Sequence, residues 1–133
     1  MNDLSTNAYM LNRSTIQLLR FHFSFFLLPV YWFALTQLVN INLNNAILIF
    51  IILHILVYPS SNGYNSYMDR DESPIGGIAN PMLPTKQLFY VTIAMDVLAV
   101  ALSFFVSLWF ACGILFYIIG SRLYSYRGIR LKQ

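Results

Sequence analysis

The feature that most constrains this chain is a series of apolar runs long enough to cross a lipid bilayer. The first, Phe21 to Val39, has 19 residues and no formally charged side chain, close to the roughly 20 that a spanning helix needs. A second covers Ala46 to Tyr58, and a third block runs from Leu88 to Gly120. With 58% hydrophobic and 10% charged residues in 133, a soluble core could not hide this apolar surface. The sequence therefore predicts an all-α integral membrane protein.

The third block must be divided, because as one helix its 33 residues would extend about 50 Å across a hydrocarbon core of about 30 Å. We place the division near Ser103 to Ser107. The uncharged corner around residues 40–45 joins the first two runs as a hairpin. The prediction is one membrane domain, residues 1–133, with a central loop at 65–87 and four spans at about 20–39, 44–64, 88–103 and 106–121.

Basic residues indicate which side of the membrane each end occupies. Four crossings place every lysine and arginine on one side, and both corners between spans are then uncharged. Met1 to Gln17 lacks the features of a cleaved signal. We expect a multi-pass protein of the cell inner membrane with both termini and the central loop cytoplasmic, and we read no nucleic-acid binding from the net charge of +3.

A polar group marks the cytoplasmic end of the second span. Asn62, Asn65 and Asp69 share one helix face by their spacing, and amide and carboxylate oxygens are ligands that Mg²⁺ accepts. Asp71 and Glu72 add negative charge nearby. An ordinary solvated loop after a polar helix end explains the same spacing.

A longer string extends this group. The segment from Gly63 to Gly77 reads Gly-Tyr-Asn-Ser-Tyr-Met-Asp-Arg-Asp-Glu-Ser-Pro-Ile-Gly-Gly. It resembles the first Asp-rich motif of the UbiA family of membrane prenyltransferases, at the end of the second helix where that family has it. The segment Ser121 to Lys132 is similar to the family's segment after the fourth helix, so the resemblance covers nearly the whole chain.

The resemblance implies transfer of a polyprenyl group from its diphosphate to an aromatic or other lipophilic acceptor in the membrane. Asn65 and Asp69 would be the catalytic pair. The wider roles that it implies are as follows: Mg²⁺ held by Asn65, Asp69, Asp71 and Glu72; the diphosphate neutralised by Lys86, Arg122, Arg127 and Arg130; and the prenyl or acceptor site lined by Tyr64, Tyr67 and Asp96. Interfacial anchoring is an equal reading of the two tyrosines.

Two departures from the family pattern matter. Ser73 stands where the family has a further acidic residue, and nothing here matches the second Asp-rich motif. Family members have about twice this length, so we expect this chain to correspond to the N-terminal half, with a second chain supplying the C-terminal half.

Four further side chains lie in apolar runs. Asp96 serves either the acceptor site or a polar contact between helices, since charge inside a membrane is costly. His22, His54 and Cys112 are expected to be packing residues, because no ligand partners stand at metal-binding spacing.

Two other function classes compete with the enzyme. One is a non-catalytic four-helix membrane protein or subunit, a remnant of the family. The other is a cation transporter that uses Asp96 and the Asn65–Asp69 group, for which the sequence offers few further intramembrane polar groups.

The predicted topology is tested by labelling single cysteines, Asn40→Cys and Ser73→Cys, in a Cys112→Ser background. In intact cells a membrane-impermeant maleimide should label Asn40→Cys, whereas Ser73→Cys should react only after the membrane is opened. The opposite pattern would invert the assigned orientation.

Overall fold

The structure is a computed structural model that describes residues 11–70 and 72–126. Four helices in this part of the chain are long and apolar enough to cross a membrane. They are α1 (Arg13–Thr36), α2 (Leu43–Asp69), α3 (Lys86–Ser103) and α4 (Leu108–Ser125). The prediction of an all-α membrane bundle with four spans is confirmed.

Helix α1 is interrupted near its start. Arg20 has a left-handed backbone, with φ of 49°, and separates Arg13–Leu19 from Phe21–Ser24. A 3₁₀ turn, Phe25–Leu27, then leads into Leu28–Thr36. A left-handed residue other than glycine is unusual and is held by surrounding contacts. The break changes the direction of α1 beside the other helices and turns Arg20 into the protein.

Helix α2 begins at a capped end, where the side chain of Asn42 accepts a hydrogen bond of 3.1 Å from the backbone N–H of Asn45. Its middle, Ile51–Val57, is a π-helix, and its last part, Tyr58–Asp69, is α-helical. The segment between α2 and α3 therefore covers residues 70–85, shorter than the predicted loop 65–87. The helix continues because its polar residues face protein, where Ser60, Gly63 and Ser66 are buried, and not lipid.

The long apolar block divides where the sequence indicated. Helix α3 ends at Ser103, and α4 begins at Leu108. Ser107 caps α4, because its hydroxyl oxygen accepts a 3.0 Å hydrogen bond from the backbone N–H of Phe110. Large apolar side chains around this corner, such as Phe105 and Trp109, are exposed in the isolated bundle and are positioned to meet lipid.

Helix α2 lies at the centre of the bundle. It packs against α1, α3 and α4. One core cluster joins Ile52, Leu56 and Val57 of α2 to Ala99 of α3 and Ile114 of α4. A second cluster joins the start of α1 to the start of α3, through Leu18, Leu19 and Leu88. Both α1 and α4 are therefore held on α2.

The segment between α2 and α3 folds back over the start of α1. Ile75 and Ile78 close a tight turn, in which Gly77 has φ of +81° and a Cβ would lie 2.4 Å from the His22 ring. The Gln17 side chain donates to the carbonyl of Asn80 at 3.2 Å and accepts from the backbone N–H of Met82 at 2.8 Å. This segment therefore covers the broken region of α1.

Gly63 is the position where α1, α2 and α3 approach most closely, because a Cβ there would lie 2.9 Å from Leu19 and 3.0 Å from Leu88 and Thr92. We predict that Gly63→Leu lowers the free energy of unfolding in detergent by about 1–3 kcal/mol through overpacking. Gly113→Leu is the matched control, since nothing lies within 4 Å of a Cβ there. Equal effects of the two substitutions, measured by thermal unfolding, would contradict this packing.

Candidate functional site

A cleft of about 690 Å³ lies between α1, α2 and α4. Helices α1 and α4 both pack on α2, which forms the back wall. The cleft is open on one side. The residues that line it come from these three helices and are Arg20, Phe23, Ser24, Phe26, Leu27, Tyr58, Ser61, Asn62, Asn65, Phe116, Tyr117, Gly120, Ser121, Tyr124 and Ser125.

Arg20 provides a positive charge at the cleft. Its side chain leaves the left-handed break in α1, and the residue is only 8% exposed. The guanidinium lies 3.5 Å from the carbonyl oxygen of Asn62 and 5.2 Å from the ring of Phe23. The Asn62 side chain in turn donates to the carbonyl of Leu19 at 3.3 Å. A largely desolvated arginine at a cleft wall is suited to an anionic ligand.

Asn65 and Asp69 extend the polar part of the site along α2. Asn65 lines the cleft, and its amide oxygen accepts a 3.1 Å hydrogen bond from the hydroxyl of Ser125 on α4. Asp69 follows one helical turn later and is partly buried. The two side chains share a helix face by their spacing. The structure thus brings Arg20, Asn62 and Asn65 to one cleft, with Asp69 adjacent.

Aromatic and aliphatic side chains, together with several serines, form the rest of the cleft. Phe23, Phe26 and Leu27 stand on α1, opposite Phe116 and Tyr117 on α4. A cleft with a charged group and amides at one part and apolar side chains over the remainder fits an amphipathic molecule.

A partly buried ion pair lies away from the cleft, where α2, α3 and α4 meet. The guanidinium of Arg122 on α4 is paired with the carboxylate of Asp96 on α3, donates to the hydroxyl of Ser60 at 2.8 Å and stacks 4.2 Å from the centre of the Tyr64 ring. Ser60 donates to Asp96 at 2.6 Å. Three helices therefore meet at one polar cluster inside the bundle.

This cluster changes the reading of several residues. Asp96 and Arg122, which the family resemblance assigns to separate subsites, are bound to each other and are not among the residues that line the cleft. Tyr64 and Tyr67 also lie away from the cleft, because both rings pack near Phe89 of α3, at 6.3 Å and 5.3 Å. The sequence predicted for Asp96 either a role in the acceptor site or a polar contact between helices, and the structure shows such a contact, with Arg122.

The remaining expected site residues lie at the surface or outside the described part of the chain. Lys86 and Glu72 are exposed. Asp71, Arg127 and Arg130 fall outside the described residues. Within residues 11–70 and 72–126, no three His, Cys, Asp or Glu side chains converge as a metal-binding group. Asn65 and Asp69 supply hard oxygen ligands that suit Mg²⁺ when substrate phosphates and water complete the coordination.

The other side chains in apolar runs have separate environments. His54 is fully buried and stacks on Phe50, with ring centres 4.8 Å apart, in keeping with a packing residue. His22 is exposed and lies against Gly77. Cys112 is exposed on α4.

Arg20 and Ser125 are among the cleft residues that were not assigned a site role from the sequence. Arg20 was read only as a marker of topology, and its position depends on a left-handed break that no local pattern announces. Ser125 stands 60 residues from Asn65, and its contact requires the register of α4 on α2.

No known protein family, curated protein or solved structure matches this chain.

The ion pair yields a prediction about stability. Asp96→Ala leaves the partly buried Arg122 charge without its partner and should cost about 1–3 kcal/mol in detergent. The double variant Asp96→Leu/Arg122→Met, which replaces both charges by apolar groups of similar size, should recover most of that loss. Thermal unfolding of both proteins measures the difference, and a double variant as unstable as Asp96→Ala would contradict the assignment.

Proposed function

We propose that this chain is a UbiA-like membrane prenyltransferase, or part of one, that binds a polyprenyl diphosphate in the cleft between α1 and α4. The observation that carries the proposal is the joint placement of Arg20 and Asn65 at a cleft that is also lined by aromatic and aliphatic side chains. A polyprenyl diphosphate has the same division into a charged head and an apolar tail.

The diphosphate head is assigned to Arg20, Asn62 and Asn65. As the allylic C–O bond breaks, negative charge builds on the leaving diphosphate, and a cation fixed beside it lowers the barrier. Arg20 is already positioned by its contacts with Asn62 and Phe23, so little reorganisation is needed. It takes the role for which Arg122 was first considered, because Arg20 lines the cleft, whereas Arg122 is bound to Asp96 and does not line it.

Mg²⁺ is the cofactor proposed for the leaving group. Asn65 and Asp69 would hold it, and it would supply positive charge to the leaving diphosphate, in keeping with its preference for few protein carboxylates and several phosphate or water ligands. The charged residues that the family resemblance implies stay proposed contributors to the binding of Mg²⁺ and the diphosphate. They are Asp71, Glu72, Lys86, Arg127 and Arg130.

The apolar part of the cleft is assigned to the prenyl chain and to the acceptor. Phe26, Leu27 and Phe116 would pack against the chain, and the faces of Phe23 and Tyr58 would attract the allylic cation. A lipophilic acceptor would enter through the open side of the cleft. We further propose that a second chain covers this side, and that the protein lies in the cell inner membrane with both termini cytoplasmic.

A non-catalytic four-helix membrane protein is the second candidate. It is favoured by the pairing of Arg122 with Asp96 and by the hydrogen bond from Ser125 to Asn65, which give three expected site residues structural partners. In that case the cleft would hold ordinary lipid. The two candidates differ in one expected result: only the prenyltransferase should bind a polyprenyl diphosphate in a way that depends on Mg²⁺.

The proposed function is tested by binding of a radiolabelled polyprenyl diphosphate to the purified protein in detergent. Binding should require Mg²⁺ and should be abolished or strongly weakened by Asp69→Ala and Asn65→Ala. Arg20→Gln should weaken binding by roughly 10- to 100-fold, the equivalent of one charge-assisted hydrogen bond of about 1.5–3 kcal/mol.

Arg70→Gln is the matched control. Arg70 also has a left-handed backbone, with φ of 52°, but it is exposed and lies over Tyr67 on the far face of α2. Its substitution should leave binding within about threefold, as expected of an exposed group away from the site. Binding that ignores Mg²⁺, or that Arg70→Gln weakens as much as Arg20→Gln, would count against the proposal.

A further inference from the structure

The ion pair between Asp96 and Arg122 stands next to the contacts that hold Asn65. Three residues on the last two turns of α4 make polar contacts with α2. Ser121 contacts Ser61, Arg122 donates to Ser60, and Ser125 donates to Asn65. Arg122 is the member of this set that also reaches α3, through Asp96.

These contacts differ in what they can fix. Ser121 and Ser125 lie one turn apart and face α2, where Ser61 and Asn65 have the same spacing. Hydrogen bonds between hydroxyl and amide groups of this kind contribute little to the association of membrane helices, because each group easily finds another hydrogen-bond partner. A partly buried charge pair is more selective, since a slip of α4 along α2 would separate the two charges in largely apolar surroundings.

The position of Arg122 is held from several directions. Its guanidinium meets the carboxylate of Asp96, the hydroxyl of Ser60 and the ring of Tyr64. Ser60 is completely buried and lies 3.0 Å from the carbonyl oxygen of Thr92 on α3. Residues of both α2 and α3 thus contact the Arg122 side chain of α4.

We infer that Asp96 is a positioning residue: through Arg122 it sets the register of α4 on α2, and this register places the Ser125 hydroxyl against the amide of Asn65. The part that concerns ligand binding rests on the proposed function. Asp96 then needs no contact with prenyl donor or acceptor, and its influence on the site passes along α4.

The hydrogen bond from Ser125 determines the orientation of the Asn65 side-chain amide. Because the amide oxygen accepts this hydrogen bond, the bond restricts the rotation of the Asn65 side chain. Supporting hydrogen bonds of this kind change metal affinity strongly when removed. Loss of the Asp96–Arg122 pair should therefore have the same consequence as loss of Ser125.

The register is tested first without any ligand. Ser61→Cys/Ser121→Cys, in a Cys112→Ser background, should form a disulfide readily in membranes because these two side chains touch. Adding Asp96→Leu/Arg122→Met should slow this cross-linking several-fold, while the protein stays folded by the criterion of thermal unfolding. Asp96→Glu, which keeps a carboxylate, should preserve cross-linking, and Glu72→Gln at an exposed carboxylate should have no effect.

The link to the site is tested by the Mg²⁺ concentration that gives half-maximal binding of the polyprenyl diphosphate. Ser125→Ala and Asp96→Leu/Arg122→Met should each raise it by roughly 10- to 100-fold. The triple variant should show no further increase, because both changes act on one path. A role limited to general stability would leave this concentration unchanged well below the unfolding temperature.

The outcomes separate this inference from the proposed function. Unchanged cross-linking in the folded double variant overturns the register role of Asp96. Independent, multiplying effects of Ser125→Ala and the double variant overturn the path to Asn65. If the unmodified protein binds no polyprenyl diphosphate while cross-linking still depends on the ion pair, the proposed function fails and the register role stands.

Discussion

The ion pair between Asp96 and Arg122 is the interaction on which the arrangement of the last three helices depends. Apolar helix faces in a bilayer gain little by choosing one register over another, because lipid and leucine offer similar surroundings. Two opposite charges in the same interior allow far fewer arrangements. The pair joins α3 to α4, and Ser60 brings α2 into the same cluster.

The cleft follows from how the helices share α2. One face of α2 holds Ser60 and Tyr64 against α3 and α4, and the neighbouring face presents Asn62 and Asn65 to the cleft. Helix α1 completes the opposite wall because its break at Arg20 turns a cation inward. The Asp96–Arg122 cluster and the Arg20 side chain therefore meet different faces of α2.

The number of spans could be predicted from the sequence, because bilayer thickness limits helix length and serines divide the long apolar block near Ser103. The common face of Asn65 and Asp69 followed from helical spacing. The partners of Arg122 and the inward position of Arg20 could not be predicted, since each depends on contacts between distant segments and, for Arg20, on a left-handed backbone. The family resemblance assigned Tyr64 and Tyr67 to the site. Their spacing within α2 could not show that both rings pack near Phe89 of α3.

Photo-crosslinking with a polyprenyl diphosphate that carries a diazirine on its chain tests the central claim most directly. In the presence of Mg²⁺, mass spectrometry should locate the label on Phe26, Leu27 or Phe116, and unlabelled polyprenyl diphosphate should compete it away. If the label falls mainly on outward-facing residues such as Val97 and Trp109, and unlabelled polyprenyl diphosphate does not reduce it, the cleft is not a binding site for this class of lipid.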